Sequence, residues 1–327
     1  MKTLRGLLLV LVLFDLAAGA AHASEASAPY PARPIQLVVP YPPGGSADVL
    51  ARTLGDYLGR AMKQSIIVSN KPGAGTAIGA RAVAQSPADG YTLMIGTVSS
   101  HAMNPALSRS VGYDPVKDFT AIAPLATIPF VLLVHPKLEV RSMAELIDVA
   151  RKRSGALNYA SAGNGTSNHL AGELFNAATG LRVGHVPYKG SAPALNALLA
   201  GEVELMFDLI ATAATQVKAG KANALVITTK RRSPLLPDVS SVDEVGLPTL
   251  ELSAWFGLFA PAGIPADARE SLARETAKIV DSEEFQGRLR NMGAMGMDVT
   301  AARFPGYVAA ERDRWAQLIK AAAIESD

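Results

Sequence analysis

Three segments rich in glycine and hydroxyl groups hold the residues best suited to chemistry. They are Pro42-Pro43-Gly44-Gly45-Ser46, Gly96-Thr97-Val98-Ser99-Ser100-His101 and Ser161-Ala162-Gly163-Asn164-Gly165-Thr166. Each follows an apolar run that reads as a strand, and the first and third open into a helical pattern. Glycines let a backbone approach a ligand closely. A helix start offers unbonded N–H groups and the positive end of the dipole to an anion. That attraction is about 0.3–1 kcal/mol at an exposed end and reaches about 2 kcal/mol when partly buried. Two such starts, one in each half of the chain, are placed to grip one anion, with the amides of Gly163 and Gly165 expected to face it. The same turns also serve as ordinary strand-to-helix connections, so patterning alone leaves both readings open. Neither glycine loop carries Arg or Lys, so dipoles are expected to hold the anion and Lys189 to stand outside direct contact. Asp48, in the first turn of the helix after Gly45, has two readings: it complements the dipole, or it faces a ligand's amino or hydroxyl group. His101 and His169 stay under consideration because each lies just after a candidate loop.

Other chemistries fit poorly. Gly73-Ala74-Gly75-Thr76-Ala77-Ile78-Gly79 stands between a strand and a helix, as a dinucleotide loop would. Its spacing is G-x-G-x-x-x-G, and no acidic residue ends the next strand to hold a ribose. Gly44-Gly45-Ser46-Ala47-Asp48 is not the G-x-S-x-G elbow of a hydrolase. His101, His135, His169 and His185 are scattered, with no pair at metal-ligand spacing. The chain has no cysteine, which removes disulfides, thiolate metal sites and a lipid-modified cysteine. No catalytic residue, metal or cofactor is expected.

The elements that must position the loops alternate between short apolar runs and helical patterns, the signature of α/β architecture with mainly parallel sheets. Ile35 to Val39 reads as a strand and Ser46 to Met62 as a helix with Leu50, Leu54, Tyr57, Leu58 and Ala61 on one face. The alternation continues with strands at Ile66 to Val68, Tyr91 to Ile95, Phe130 to Val134 and Asn158 to Ala160, each before a loop or helix. Ser142 with Glu145 three positions on forms a capping box. Later strands are expected at Val183 to Val186, Val203 to Phe207, Ala224 to Thr228 and Trp255 to Ala260. Three amphipathic helices close the chain.

Composition bounds the partners. With 327 residues there is room for two domains. Lys2 and Arg5, the apolar stretch Gly6 to Phe14 and Ala21-His22-Ala23 form the three parts of a secretory leader. The stretch is shorter than the roughly 20 residues of a spanning helix. Removing residues 1–23 leaves 29 basic against 28 acidic side chains. That balance speaks against nucleic acid, whose phosphates call for a basic face. A soluble, exported protein with no membrane segment of its own is expected.

Taken together, these loops resemble those of the Bug receptors, the periplasmic binding components of tripartite tricarboxylate transporters. The matching stretches include YPARPIQLVVPYPPGGSADVLAR (Tyr30 to Arg52), NKPGAGTAIGA (Asn70 to Ala80), ADGYTLMIGT (Ala88 to Thr97) and HAMNPAL (His101 to Leu107). They continue through SAGNGTSNHLAGELF (Ser161 to Phe175), HVPYKGSAPALNALLAGEVELMFD (His185 to Asp208) and WFGLFAPAGIP (Trp255 to Pro265). The resemblance implies a type 2 periplasmic-binding-protein fold, a Venus flytrap of two α/β lobes joined by a double-crossing hinge. It places one lobe at 24–127 and 252–327 and the other at 128–251, with crossings near Thr127 to Val131 and Leu250 to Phe256. It implies a small carboxylate ligand, held by the loops that match Pro43, Gly44, Gly45 and Ser46 and Ser161 to Thr166. Asp48, Thr97, Ser99, His101, His169 and Asp208 complete the candidate set. A monomer in the periplasm, serving the membrane permease of such a transporter, is expected. A sensor protein is the alternative partner, and an exported hydrolase is a more distant alternative. Ala47 stands where many relatives carry a threonine, and Thr76-Ala77 where many carry a third glycine, which bears on the ligand rather than the fold.

Overall fold

The computed structural model describes residues 30–108, 110–153, 155–322 and 324. The expected leader at 1–23 lies outside the described residues. Among those described, no helix is long and apolar enough to cross a membrane.

The first elements in chain order are β1 (Ile35–Val39), α1 (Ser46–Met62), β2 (Ile66–Asn70), α2 (Ala77–Ala84), β3 (Thr92–Thr97) and α3 (Asn104–Leu107). Next come β4 (Phe119–Val134), α4 (Met143–Lys152), β5 (Asn158–Ser161), α5 (Ser167–Thr179), β6 (Gly184–Pro187) and α6 (Ser191–Ala200). Then follow β7 (Leu205–Leu209), α7 (Ile210–Lys218), β8 (Asn223–Ile227), β9 (Ser253–Pro261), α8 (Ala266–Val280), α9 (Glu283–Asn291) and α10 (Phe304–Ala321).

The strands run β2-β1-β3-β9-β4-β7-β5-β6, with β8 also on β4. The outer pairings are parallel, β1 with β2 and β3, and β5 with β6 and β7. The centre is antiparallel: β9 pairs with β3 and β4, and β4 pairs with β7 and β8. The expectation of mainly parallel sheets therefore holds only at the flanks. β4 is shared: Phe119 to Pro129 pair with β9, and Phe130 to Val134 pair with β7. The sequence marked only Phe130 to Val134, because Pro124 and Pro129 cannot donate to a ladder. The strand absorbs the extra residues as register shifts between Ala121 and Ala123 and between Pro124 and Ala126.

Local choices behave as their chemistry dictates. Leu50, Leu54 and Leu58 bury completely on α1, and Met62 rather than Ala61 ends the stripe. Ser142 Oγ accepts the Glu145 N–H at 3.2 Å, while the Glu145 carboxylate reaches one residue further back, to the Arg141 N–H at 2.7 Å. Ser99 to His101, expected as loop, belong to a wide π-type turn of helix that extends to Met103, is fully buried and runs straight into α3.

Candidate functional site

Three helices from different parts of the chain begin at one place. Ser46, Ser167 and Ser191, the first residues of α1, α5 and α6, line a small chamber of about 50 Å³. Tyr41, Pro43, Thr97, Asn168 and Phe256 are among the other residues of its wall, and no described residue lining it carries a charge. The three residues before these helices, Gly45, Thr166 and Gly190, make no side-chain cap to the first turn. Two helices away from the chamber are capped, α4 by Ser142 and α9 by Ser282. Other described helices, α2, α7, α8 and α10, also lack a side-chain cap, so what sets these three apart is that they start together, bringing first-turn N–H groups and three positive dipole ends to the chamber. One of these groups is already engaged: the Ser167 N–H donates to Ser99 Oγ at 3.0 Å.

Tyr41 and Pro42 belong both to this chamber and to a larger cleft of about 520 Å³. The cleft runs between the segment Gly73 to Thr76, Asn104, the loop Ala162 to Thr166, and Tyr188 to Gly190. Among the described residues, Lys189 is the one charged residue lining it. The Asn164 Oδ1 atom is buried there with no protein donor.

Of the residues singled out by sequence, Pro43, Gly45, Ser46 and Thr97 line the chamber, and Ala162, Gly163, Asn164, Gly165 and Thr166 line the cleft. Gly44, at φ +88°, donates its N–H to Asp48 Oδ2 at 3.0 Å. Asp48 is buried and accepts as well from Arg52 Nε at 2.9 Å and Asn70 Nδ2 at 2.9 Å. Burial works against its charge, but Arg52, the Gly44 amide and Asn70 outweigh it and hold the carboxyl below its usual range. Asp48 braces the first loop from behind.

The glycine amides of the third loop also point inward to the protein. Gly163 N–H donates to Ser161 Oγ at 3.0 Å, and Gly165 N–H to His169 Nδ1 at 3.2 Å. The expectation that these amides face the ligand is corrected, since side chains of the same loop and helix claim them. Ser161 Oγ also bonds His185 Nε2 at 2.6 Å, and His185 stacks on His169 with ring centres 4.1 Å apart. His101 lies in the core. It stacks on Phe259 at 3.9 Å, bonds Ser100 Oγ at 2.9 Å, and burial pushes its imidazole down to about 3. Asp208 is likewise buried and lines neither space; Thr212 Oγ1 donates to it, and burial raises its carboxyl to about 6.

Sequence reasoning does not mark Tyr41, Asn104, Ser167 or Ser191. For Ser191, a glycine just ahead of a helical pattern is the available signal. Gly73 to Thr76 stands out in the sequence only as a failed dinucleotide loop.

The sequence profile described as "Tripartite tricarboxylate transporter family receptor" matches residues 50–324. The chain belongs to this family. Among solved structures, the receptor is similar to the periplasmic binding protein BugD, with a TM-score of 0.86 and 31% identity over 91% of this chain and 100% of BugD. It is similar to a protein of R. palustris with adipate, with a TM-score of 0.87 and 38% identity over 90% of this chain and 99% of the other. MatC from Rhodopseudomonas palustris, with bound malate, gives a TM-score of 0.84 at 32% identity over 89% and 100% of the two chains. The receptor thus has the fold of periplasmic binding proteins, as the resemblance implied.

Proposed function

We propose that this receptor captures a small carboxylate between two lobes and presents it to the membrane permease of a tripartite tricarboxylate transporter. The convergence of three uncapped helix starts on an uncharged chamber carries the reading. A carboxylate takes up N–H dipoles without a counter-charge and without the cost of burying a cation. Similarity to proteins seen with adipate and malate supports the same class of ligand. The lobes are proposed at 24–127 with 252–327 and at 128–251, hinged where β4 changes partners at Pro129 and Phe130. Binding proceeds without turnover, and the mature chain begins after Ala23 and works as a monomer in the periplasm.

The test is a thermal shift of the mature chain against mono-, di- and tricarboxylates, with neutral sugars and amino acids beside them. A ligand at about 100 times its Kd adds about 2.7 kcal/mol of stability. Stabilisation by carboxylates alone is expected. Stabilisation by a neutral sugar, with every carboxylate silent, overturns the reading.

A further inference from the structure

Where the lobes meet, one carboxamide touches both sides. Asn104 is buried at the start of α3, and its Nδ2 donates to the carbonyls of Ala74 at 2.9 Å and Gly75 at 2.8 Å. Those carbonyls belong to an unusual turn, in which Ala74, Gly75 and Thr76 have φ of 47°, 56° and 84°. Such a run, with a β-branched residue in it, persists only where its surroundings hold it. The oxygen edge of Asn104 meets the other side of the cleft: a Cβ on Gly165 would lie 2.5 Å from Asn104 Oδ1. A Cβ on Gly75 would overlap the carbonyl oxygen of Asn164. Nearby, a Cβ on Gly190 would come to 2.7 Å from Pro42 Cγ. The backbones of the Gly73 to Thr76 turn and the Ala162 to Thr166 loop therefore approach to a distance that admits no side chain, with Asn104 between them.

We propose that Asn104 is the positioning residue for closure: it fixes the Ala74 to Thr76 turn and seats it against Gly165, so that this turn and the Ala162 to Thr166 loop can meet over the ligand. The inference rests on the reading that ligand is held between two closing lobes. Its chemistry is specific. An aspartate in its place would keep the shape, lose both donors and set a charge against two carbonyls. An alanine would leave the turn without its two hydrogen bonds.

The chain has no cysteine, so spin labels on Ser65→Cys and Lys152→Cys, both exposed and one on each proposed lobe, report opening directly. The full mature chain is compared with Asn104→Ala, Asn104→Asp and Gly165→Ala, with and without adipate. Each variant is expected to move the distance distribution toward longer values without ligand, while the ligand-free chain stays folded at the temperature of the measurement. Each is expected to bind adipate at least about tenfold more weakly, the size of losing one or two hydrogen bonds. An unchanged distribution in Asn104→Ala overturns the inference, as does full closure in Asn104→Asp, since donation would then not be the cause. If the Asn104 variants fail to fold, Gly165→Ala carries the test, and parent-like closure there is equally fatal. If the distances respond as expected but adipate does not bind the parent chain, the clasp stands and the carboxylate reading falls.

Discussion

Asp48 and Asp208 are both buried carboxyl groups, yet they differ in what surrounds them. Arg52, the Gly44 amide and Asn70 face Asp48 and favour its charge. Asp208 has the Thr212 hydroxyl and the Leu209 amide, and burial dominates, raising it from 3.8 to about 6. A carboxyl raised on folding contributes stability that is fully present below its unfolded value and lost as pH rises through about 6. The shift corresponds to roughly 3 kcal/mol. Asp208→Asn should therefore be more stable than the parent at neutral pH and level with it near pH 4, as read by urea melts at the two values. Comparing variant with parent cancels His101, whose depressed imidazole acts in the opposite sense and loses stability as pH falls. Lower stability of Asp208→Asn at both pH values would mean that the charged form is the one the fold uses. Lys189 presents the reverse situation: exposed, lining the outer cleft, and screened by salt. Lys189→Ala should weaken carboxylate binding by less than about tenfold, a surface charge's usual share. A larger loss in titration calorimetry would make it the anchor in place of the dipoles.

Helix starts separate binding from folding at the next scale. Ser142 caps α4 with no ligand space beside it, so Ser142→Ala should cost about 1 kcal/mol of stability and leave binding intact. At α6 the expectation reverses. Ser191→Asp puts a carboxylate on an uncapped helix start, worth about 0.3–1 kcal/mol to the ligand-free protein. It also fills the chamber with the charge the ligand would bring, and binding should vanish. Melting with and without ligand reads both effects, and a Ser191→Asp protein that still binds would show that α6 does not face the anion. Much of this level was legible in the sequence. The bounds of α1 followed from its 3.6-residue period after the Pro-Gly turn, whereas the αL conformation of Lys63 that ends it carries no sequence signal. Gly163 and Gly165 do adopt positive φ, at 120° and 74°. What glycine signals, however, is a backbone conformation or a close approach, and it says nothing of where the N–H points. Those amides went to Ser161 and His169. Asn104 was hidden for a related reason: its partners lie about 30 residues back and across the cleft, and no local pattern announces a tertiary contact.

At the scale of the whole molecule, the two proposed lobes need not be two melting units. β4 is buried over most of its length and serves both sides, pairing with β9 through Pro129 and with β7 and β8 beyond it. The buried apolar residues form one continuous cluster from Ile35 to Ile319 rather than two. At the junction the Thr228 hydroxyl donates to the Leu252 carbonyl at 2.6 Å and accepts the Phe130 N–H at 2.9 Å, stitching the outgoing strand to the returning chain. Unfolding either side alone would strip β4 of partners that the other side's packing relies on, exposing backbone groups whose loss is costly. A chain of this size often unfolds in steps, so the expectation is discriminating. Calorimetry should give one peak, with a calorimetric to van 't Hoff enthalpy ratio of about 1. A bound carboxylate should move that whole peak upward, because it bridges elements on both sides of β4. Thr228→Val, which keeps the shape and removes the hydroxyl, should lower the peak and broaden it toward two components. Two peaks in the parent chain, with ligand moving only one of them, would show that the lobes fold independently and that the hinge strand couples nothing.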